Sequence, residues 1–126
     1  MWAGGRIALG KIGEDAGVGF LRTKGYRILE RNHRTPFGEI DAIAKERQTI
    51  VFVEIKTRAS SSIGPPYLSV TWRKKRKIVQ NALFYLSKNH LNTCAWRIDV
   101  VSVKMNDLGK VEDIEIIKNA VTEEDI

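Results

Sequence analysis

The chain has 126 residues, of which 43% are hydrophobic. This fits one domain with a buried core and excludes a disordered chain or a second independent module. Formal net charge is +6, but residues 1–106 carry nineteen basic and eight acidic side chains while residues 107–126 carry two and seven, so a basic body that favours a polyanion such as nucleic acid precedes an acidic end.

Arg6 to Lys24 reads as a helix, with Leu9, Ile12, Ala16 and Phe20 as its apolar stripe. Gly10, Gly13 and Gly17 lie inside it. Each costs roughly 1 kcal/mol of helix propensity, which makes sense where the helix must lie close against another element. Gly25 reads as its C-cap. The start, MWAGGRIALGKIGED, lacks a signal-peptide core, and no apolar run reaches the ~18 residues of a membrane span. A cytoplasmic protein without membrane contact is expected.

Tyr26 to Asn32 reads as a strand and Thr35 to Gly38 as a turn. Glu39 to Lys45 and Thr49 to Lys56 read as two strands around a tight turn at Arg47-Gln48. The second is apolar at both parities, as in a central strand covered on both faces. Arg58 to Tyr67, rich in Ser, Gly and Pro, reads as a loop able to close on a bound strand. Thr71 to Asn89 reads as a helix capped by Thr71 or Ser69, with Val79, Ala82, Leu83 and Leu86 on its apolar face. Trp96 to Lys104 and Val111 to Lys118 read as strands about a turn at Asn106 to Gly109. The order α-β-β-β-α-β-β predicts an α/β fold: a mixed sheet, its first three strands antiparallel, with helices packed on it. Residues 1–118 then form the domain, and residues 119–126 an acidic tail.

The central hairpin carries the chemistry. A two-residue loop at Arg47-Gln48 pairs Glu46 with Thr49, which sets Asp41 opposite Glu54 and Glu39 opposite Lys56, all four on one face. The other face reads Ile40, Ala42, Ala44, Val51, Val53 and Ile55, without charge. Directly opposed carboxylates ~5 Å apart at Cβ repel. A divalent cation between them would relieve this. One cysteine, Cys94, and two histidines are too few for a Cys/His zinc site, whereas oxygen ligands suit magnesium or manganese. Lys56, two residues beyond Glu54, could place a water against a phosphate and stabilise charge in the transition state. That combination suits phosphodiester hydrolysis. The competing structural reading is an ion-pair network in which Lys56 bridges Glu39 and Glu54.

Asp41 followed by Glu54-Ile55-Lys56 resembles the PD-(D/E)XK nuclease signature, with Ile40 where that name has proline. Together with Gly13-Glu14-Asp15-Ala16, Gly25-Tyr26, Arg31-Asn32, Gly38-Glu39-Ile40-Asp41, Phe52 to Arg58, and Arg97 to Val101, residues 10–120 resemble the YraN family (uncharacterised protein family 0102), which is similar to archaeal Holliday junction resolvases. The resemblance implies a restriction-endonuclease-like fold and a metal-dependent nuclease acting on DNA, including branched or junction DNA, with a homodimer suited to a junction. It implies that Asp41 and Glu54 hold magnesium or manganese with the Ile55 carbonyl, that Lys56 is catalytic, and that Glu14 helps hold the metal or its water. Gln80 lacks a Tyr at the spacing a related motif requires and receives no role. The alternative function is a non-catalytic nucleic-acid-binding protein that keeps the site. A weaker alternative is an interaction protein whose basic face binds a protein partner.

Arg73 to Lys77 is a run of five basic residues. Five consecutive positions wrap a helix, so some are solvated; Lys74 and Lys77 share a side and, with Arg58, are the candidates for phosphate contact. Trp72 reads as half-buried packing, with base stacking as the alternative. Ser60 to Ser62 lack a nucleophile turn and His33 and His90 lack the setting of a partner base. Arg97 and Asp99 read as a buried structural pair.

Overall fold

The computed structural model describes residues 3–60 and 71–121, with side chains from Gly10 onward. Its elements are α1 (Ala3–Thr23), β1 (Arg27–Thr35), β2 (Gly38–Glu46), β3 (Thr49–Ala59), α2 (Trp72–Lys88), β4 (Trp96–Met105) and β5 (Val111–Val121). The five strands form one sheet in sequence order. Only β3 and β4 pair in parallel; the other neighbours are antiparallel. A parallel pair needs a crossover, and α2 lies in that connection. The result is an α/β architecture with a mixed sheet, consistent with a restriction-endonuclease-like fold.

Each face of the sheet has its own core. Val18 and Leu21 of α1 pack with Ala42, Ala44, Val51, Val53 and Val101 on one side. Val79, Ala82, Tyr85 and Leu86 of α2 pack with Ile43, Ile50, Phe52 and Ile98 on the other. β3 and β4 are therefore covered on both faces, which explains their runs of β-branched residues.

The apolar stripe predicted for α1 is displaced. Ile12 is 45% exposed, Ala16 and Phe20 are half-buried, and Leu9 lies outside the described side chains. The line that meets the sheet is Gly13, Gly17, Val18 and Leu21. A Cβ on Gly13 would come within 2.1 Å of the Thr57 hydroxyl oxygen, and one on Gly17 within 3.2 Å of Ile55. The sheet's own branched side chains fill this space, so glycine is what lets the helix backbone approach. Gly25, at φ +92°, follows the helix in the left-handed conformation expected of its C-cap.

α2 starts at the Thr71 cap, whose hydroxyl accepts from the Lys74 N–H. Leu83, predicted inside, is 45% exposed; Tyr85 and Asn81 are buried instead. The axis is rotated because Tyr85 packs edge-on to both Phe52 and His33. β1 extends to Thr35, three residues past its predicted end, and the turn narrows to Pro36-Phe37. β5 continues to Val121, so the first residues assigned to the tail belong to the sheet. Of the Arg58–Tyr67 loop, residues 61–67 lie outside the described residues, as do Ser61, Ser62 and the alternative cap Ser69. No described helix is long and apolar enough to cross a membrane.

Candidate nuclease-like site

The β2–β3 register is the predicted one: Glu46 pairs with Thr49, Ala44 with Val51 and Ala42 with Val53. The ladder ends there. Beyond it the Ile55 N–H donates to Asp41 Oδ2 at 2.7 Å, so a side chain takes the place of the next strand partner. Ile40 packs with Ile43 on the α2 side, not with Ala42 on the uncharged face as alternation required. The alternation breaks between Ile40 and Ala42, and Asp41 sits at the break.

Glu54 and Lys56 lie on the α2 side of β3, alternating with Val53 and Ile55. Asp41 and Glu54 are brought together. Burial first, and then the Glu54 charge, push the Asp41 carboxyl up to about 7, against the hydrogen bond from the Ile55 N–H. The two carboxylates are close enough for one, when protonated, to hydrogen-bond the other.

The Lys56 ammonium lies 3.3 Å from Glu54 Oε1. Its predicted bridge to Glu39 is absent among the described contacts: Glu39 faces the Arg34 guanidinium at 3.8 Å, while Lys56 meets the Lys74 amine. Strand positions alone cannot show that a helix from another part of the chain supplies this neighbour. Burial opposes the Lys56 charge, but the Glu54 and Asp41 carboxylates favour it and Lys56 is held above its ordinary value. The neighbouring Lys56 pushes Lys74 down.

Lys74 and Lys77 line a cavity of about 200 Å³ together with Glu39, Glu54, Phe37 and Asn81. Their one-turn spacing brings both to the cavity that Glu54 borders. Arg58 is on the same face of β3 as Glu54 and Lys56 by strand alternation. Trp72, read as half-buried, is 58% exposed and lies against the Arg76 guanidinium, 5.6 Å from ring centre.

Glu14 reaches the site from α1. The Gly13–Thr57 approach brings this helix onto β3, and the Glu14 charge contributes to raising Asp41. Its carboxylate is 3.5 Å from Arg31, which holds Asp15 at 2.6 Å. Among the described residues no group of three or more acidic, His or Cys side chains is arranged to hold a metal. Asp41 and Glu54 are the two acids that the site brings together. In a strand the N–H and C=O of one residue point to the same edge, so the Ile55 carbonyl faces the same gap as its N–H. Two carboxylates and a carbonyl suit magnesium or manganese, which retain several waters and take further oxygens from a phosphate.

The predicted Arg97–Asp99 pair lies on the α1 side, away from this site. Asp99 is fully buried and accepts from Arg97 Nε at 2.9 Å, Tyr26 Oη at 2.8 Å and the Asn119 N–H at 2.9 Å. Arg97 also donates to Glu46 at 2.7 Å. Lys118 meets the Glu46 carboxylate at 3.1 Å, so each charge is matched, as a buried ion network requires.

Comparison with known proteins agrees with the motifs. A family model described as "Uncharacterised protein family UPF0102" matches residues 13–103. A UPF0102 protein of Trichlorobacter lovleyi is 48% identical over 117 residues, covering 92% of this chain and 91% of that protein. One of Caldicellulosiruptor saccharolyticus is 46% identical over 112 residues, covering 89% and 95%, and one of Moorella thermoacetica is 43% identical over 111 residues, covering 88% and 92%. The motif residues Glu14, Asp41, Glu54 and Lys56 all fall within the matched segment, and the chain belongs to the uncharacterised protein family UPF0102.

Proposed function

We propose that the protein is a magnesium- or manganese-dependent nuclease that hydrolyses phosphodiester bonds in DNA, with branched, flapped or partly single-stranded DNA as its preferred substrate. The observation that carries this reading is the Asp41–Glu54–Lys56 cluster: two carboxylates held together at a break in the sheet, with an ammonium 3.3 Å from one of them. Burial first, and then the Glu54 charge, raise the Asp41 pKa; a cation between the two acids would offset the second of these.

Asp41, Glu54 and the Ile55 carbonyl would hold the ion. When bound, it polarises a phosphate oxygen and makes an attacking water more acidic. Lys56 orients that water toward phosphorus and stabilises the negative charge that develops as the bond to the leaving oxygen breaks. Lys74 and Lys77 hold the phosphate backbone at the cavity mouth, and Arg58 adds positive charge on the same face. Glu14, with Arg31 beside it, lies near Asp41 on the α1 side and orients solvent there. A small domain has little surface with which to deform an intact duplex, a deformation that costs several kcal/mol; splayed strands avoid that cost.

The test is cleavage of a matched four-way junction, flap, single strand and linear duplex in Mn²⁺, with Glu54→Ala as the control for contaminating nuclease. Cleavage by wild type alone, fastest on the branched and single-stranded forms, is expected. Tight binding without cleavage of any substrate would favour a non-catalytic nucleic-acid-binding protein.

A further inference from the structure

The turn between β1 and β2 presents an aromatic ring where a turn needs none. Phe37 is 44% exposed, yet its position is tightly specified. The Phe37 N–H donates to Thr35 Oγ1 at 3.0 Å. The same hydroxyl donates to the side-chain oxygen of Asn81, which is buried in α2. Gly38 follows at φ +139°, a conformation other residues rarely adopt. Phe84 of α2 meets the ring edge-to-face at 6.1 Å. Phe37 is thus fixed relative to α2, the helix that carries Lys74 and Lys77, and it borders the same cavity as those lysines and Glu54.

We infer that Phe37 is a base-stacking residue: an unpaired nucleobase lies on its ring while the adjoining phosphate is held by Lys74 and Lys77. This rests on the reading of the cavity as a DNA site and deepens it by naming what selects the strand. At about 200 Å³ the cavity is smaller than a drug-sized pocket and suits one nucleotide unit rather than a helix of paired bases. In a duplex the base faces are already stacked on their neighbours. A ring beside the phosphate site can therefore reach a base only where the strand is single or splayed. Stacking of this kind is tolerant of sequence because every base has a π-face.

The experiment uses a thymidine oligonucleotide carrying one 2-aminopurine, without metal, so that binding is read apart from cleavage. Fluorescence quenching reports stacking, and anisotropy reports affinity. Wild type is expected to quench the probe. Phe37→Ala is expected to lose the quench and to bind the single strand about tenfold or more weakly, with duplex affinity changed less than twofold. Phe37→Leu, which keeps an apolar contact with Phe84, should behave as Phe37→Ala, and Phe37→Trp should restore the quench. Trp72→Ala should leave it unchanged, because Trp72 does not border the cavity. Wild-type quench and affinity in Phe37→Ala would overturn the inference, as would equal weakening toward single strand and duplex or failure of wild type to bind the oligonucleotide. Quenching without any cleavage in Mn²⁺ would remove the nuclease reading and leave the stacking role standing. Cleavage with a quench indifferent to Phe37 would do the reverse.

Discussion

The Ile55 backbone N–H donates to the Asp41 carboxylate at 2.7 Å, at the point where the β2–β3 ladder stops. One hydrogen bond thus ends the pairing of the strands and holds the acid beside Glu54. A cation between the two acids would offset the repulsion between their charges.

A divalent ion should therefore bind wild type and fail on Asp41→Asn. Calorimetry with Mn²⁺ on the two proteins decides this; equal affinity would remove the carboxylate pair from the metal site.

The raised Asp41 pKa also makes stability depend on pH. The folded value, about 7, lies above the ordinary aspartate value of 3.8, so between these the folded protein retains a proton that the unfolded chain has released. Stabilisation from this group is fully present below about pH 4 and is lost as pH rises through about 7. In metal-free buffer, wild type should lose on the order of 1–2 kcal/mol more than Asp41→Asn between pH 5 and pH 8. Urea titrations at both pH values test this, and parallel behaviour of the two proteins would contradict it.

Lys56→Ala should retain metal and DNA binding and lose cleavage by about a hundredfold or more, because the ammonium acts on the water and the transition state. Single-turnover cleavage alongside Mn²⁺ calorimetry provides the measurement. Loss of metal with activity kept would reverse the assignment.

Binding to duplex DNA should weaken linearly in log affinity against log salt, with a slope of ~0.9 per phosphate contacted. Lys74→Glu with Lys77→Glu should lower the affinity for all sequences alike and flatten that slope. An unchanged slope would take α2 out of the phosphate contact.

Gly13→Ala tests the packing that delivers Glu14. The added Cβ meets Thr57 at 2.1 Å from Oγ1 and at 3.0 and 3.1 Å from its carbons, so rotation of the hydroxyl alone does not clear it. A loss of about 1–3 kcal/mol is expected despite the better helix propensity of alanine. Thr57→Ala in the same chain should recover much of it. Thermal melts of the single and double variants give the answer, and an unaltered melting temperature in Gly13→Ala would contradict the close approach.

The element order and the hairpin register were legible in the sequence for local reasons. A two-residue turn at Arg47-Gln48, with Arg47 at φ +55°, determines which residues oppose one another, and slipping by one would turn Val51 and Val53 out of their core. The acids and the lysine were legible as residue types on those strands, and the family followed from the same motifs. Contacts between distant segments were beyond such reasoning. The close fit of Gly13 and Gly17 against β3, rather than an apolar stripe, decided which side of α1 is inward. Tyr85 packing on Phe52 and His33 decided the rotation of α2 and left Leu83 outside. Ile40 changed faces because the strands part where Asp41 captures the Ile55 N–H. Lys56 found Lys74 rather than Glu39 because α2, which begins at Trp72, returns over its strand. Strand alternation and turn length are properties of neighbouring residues and can be read in one dimension, whereas helix rotation and the partner of a charged group depend on the space left by residues far away in the chain.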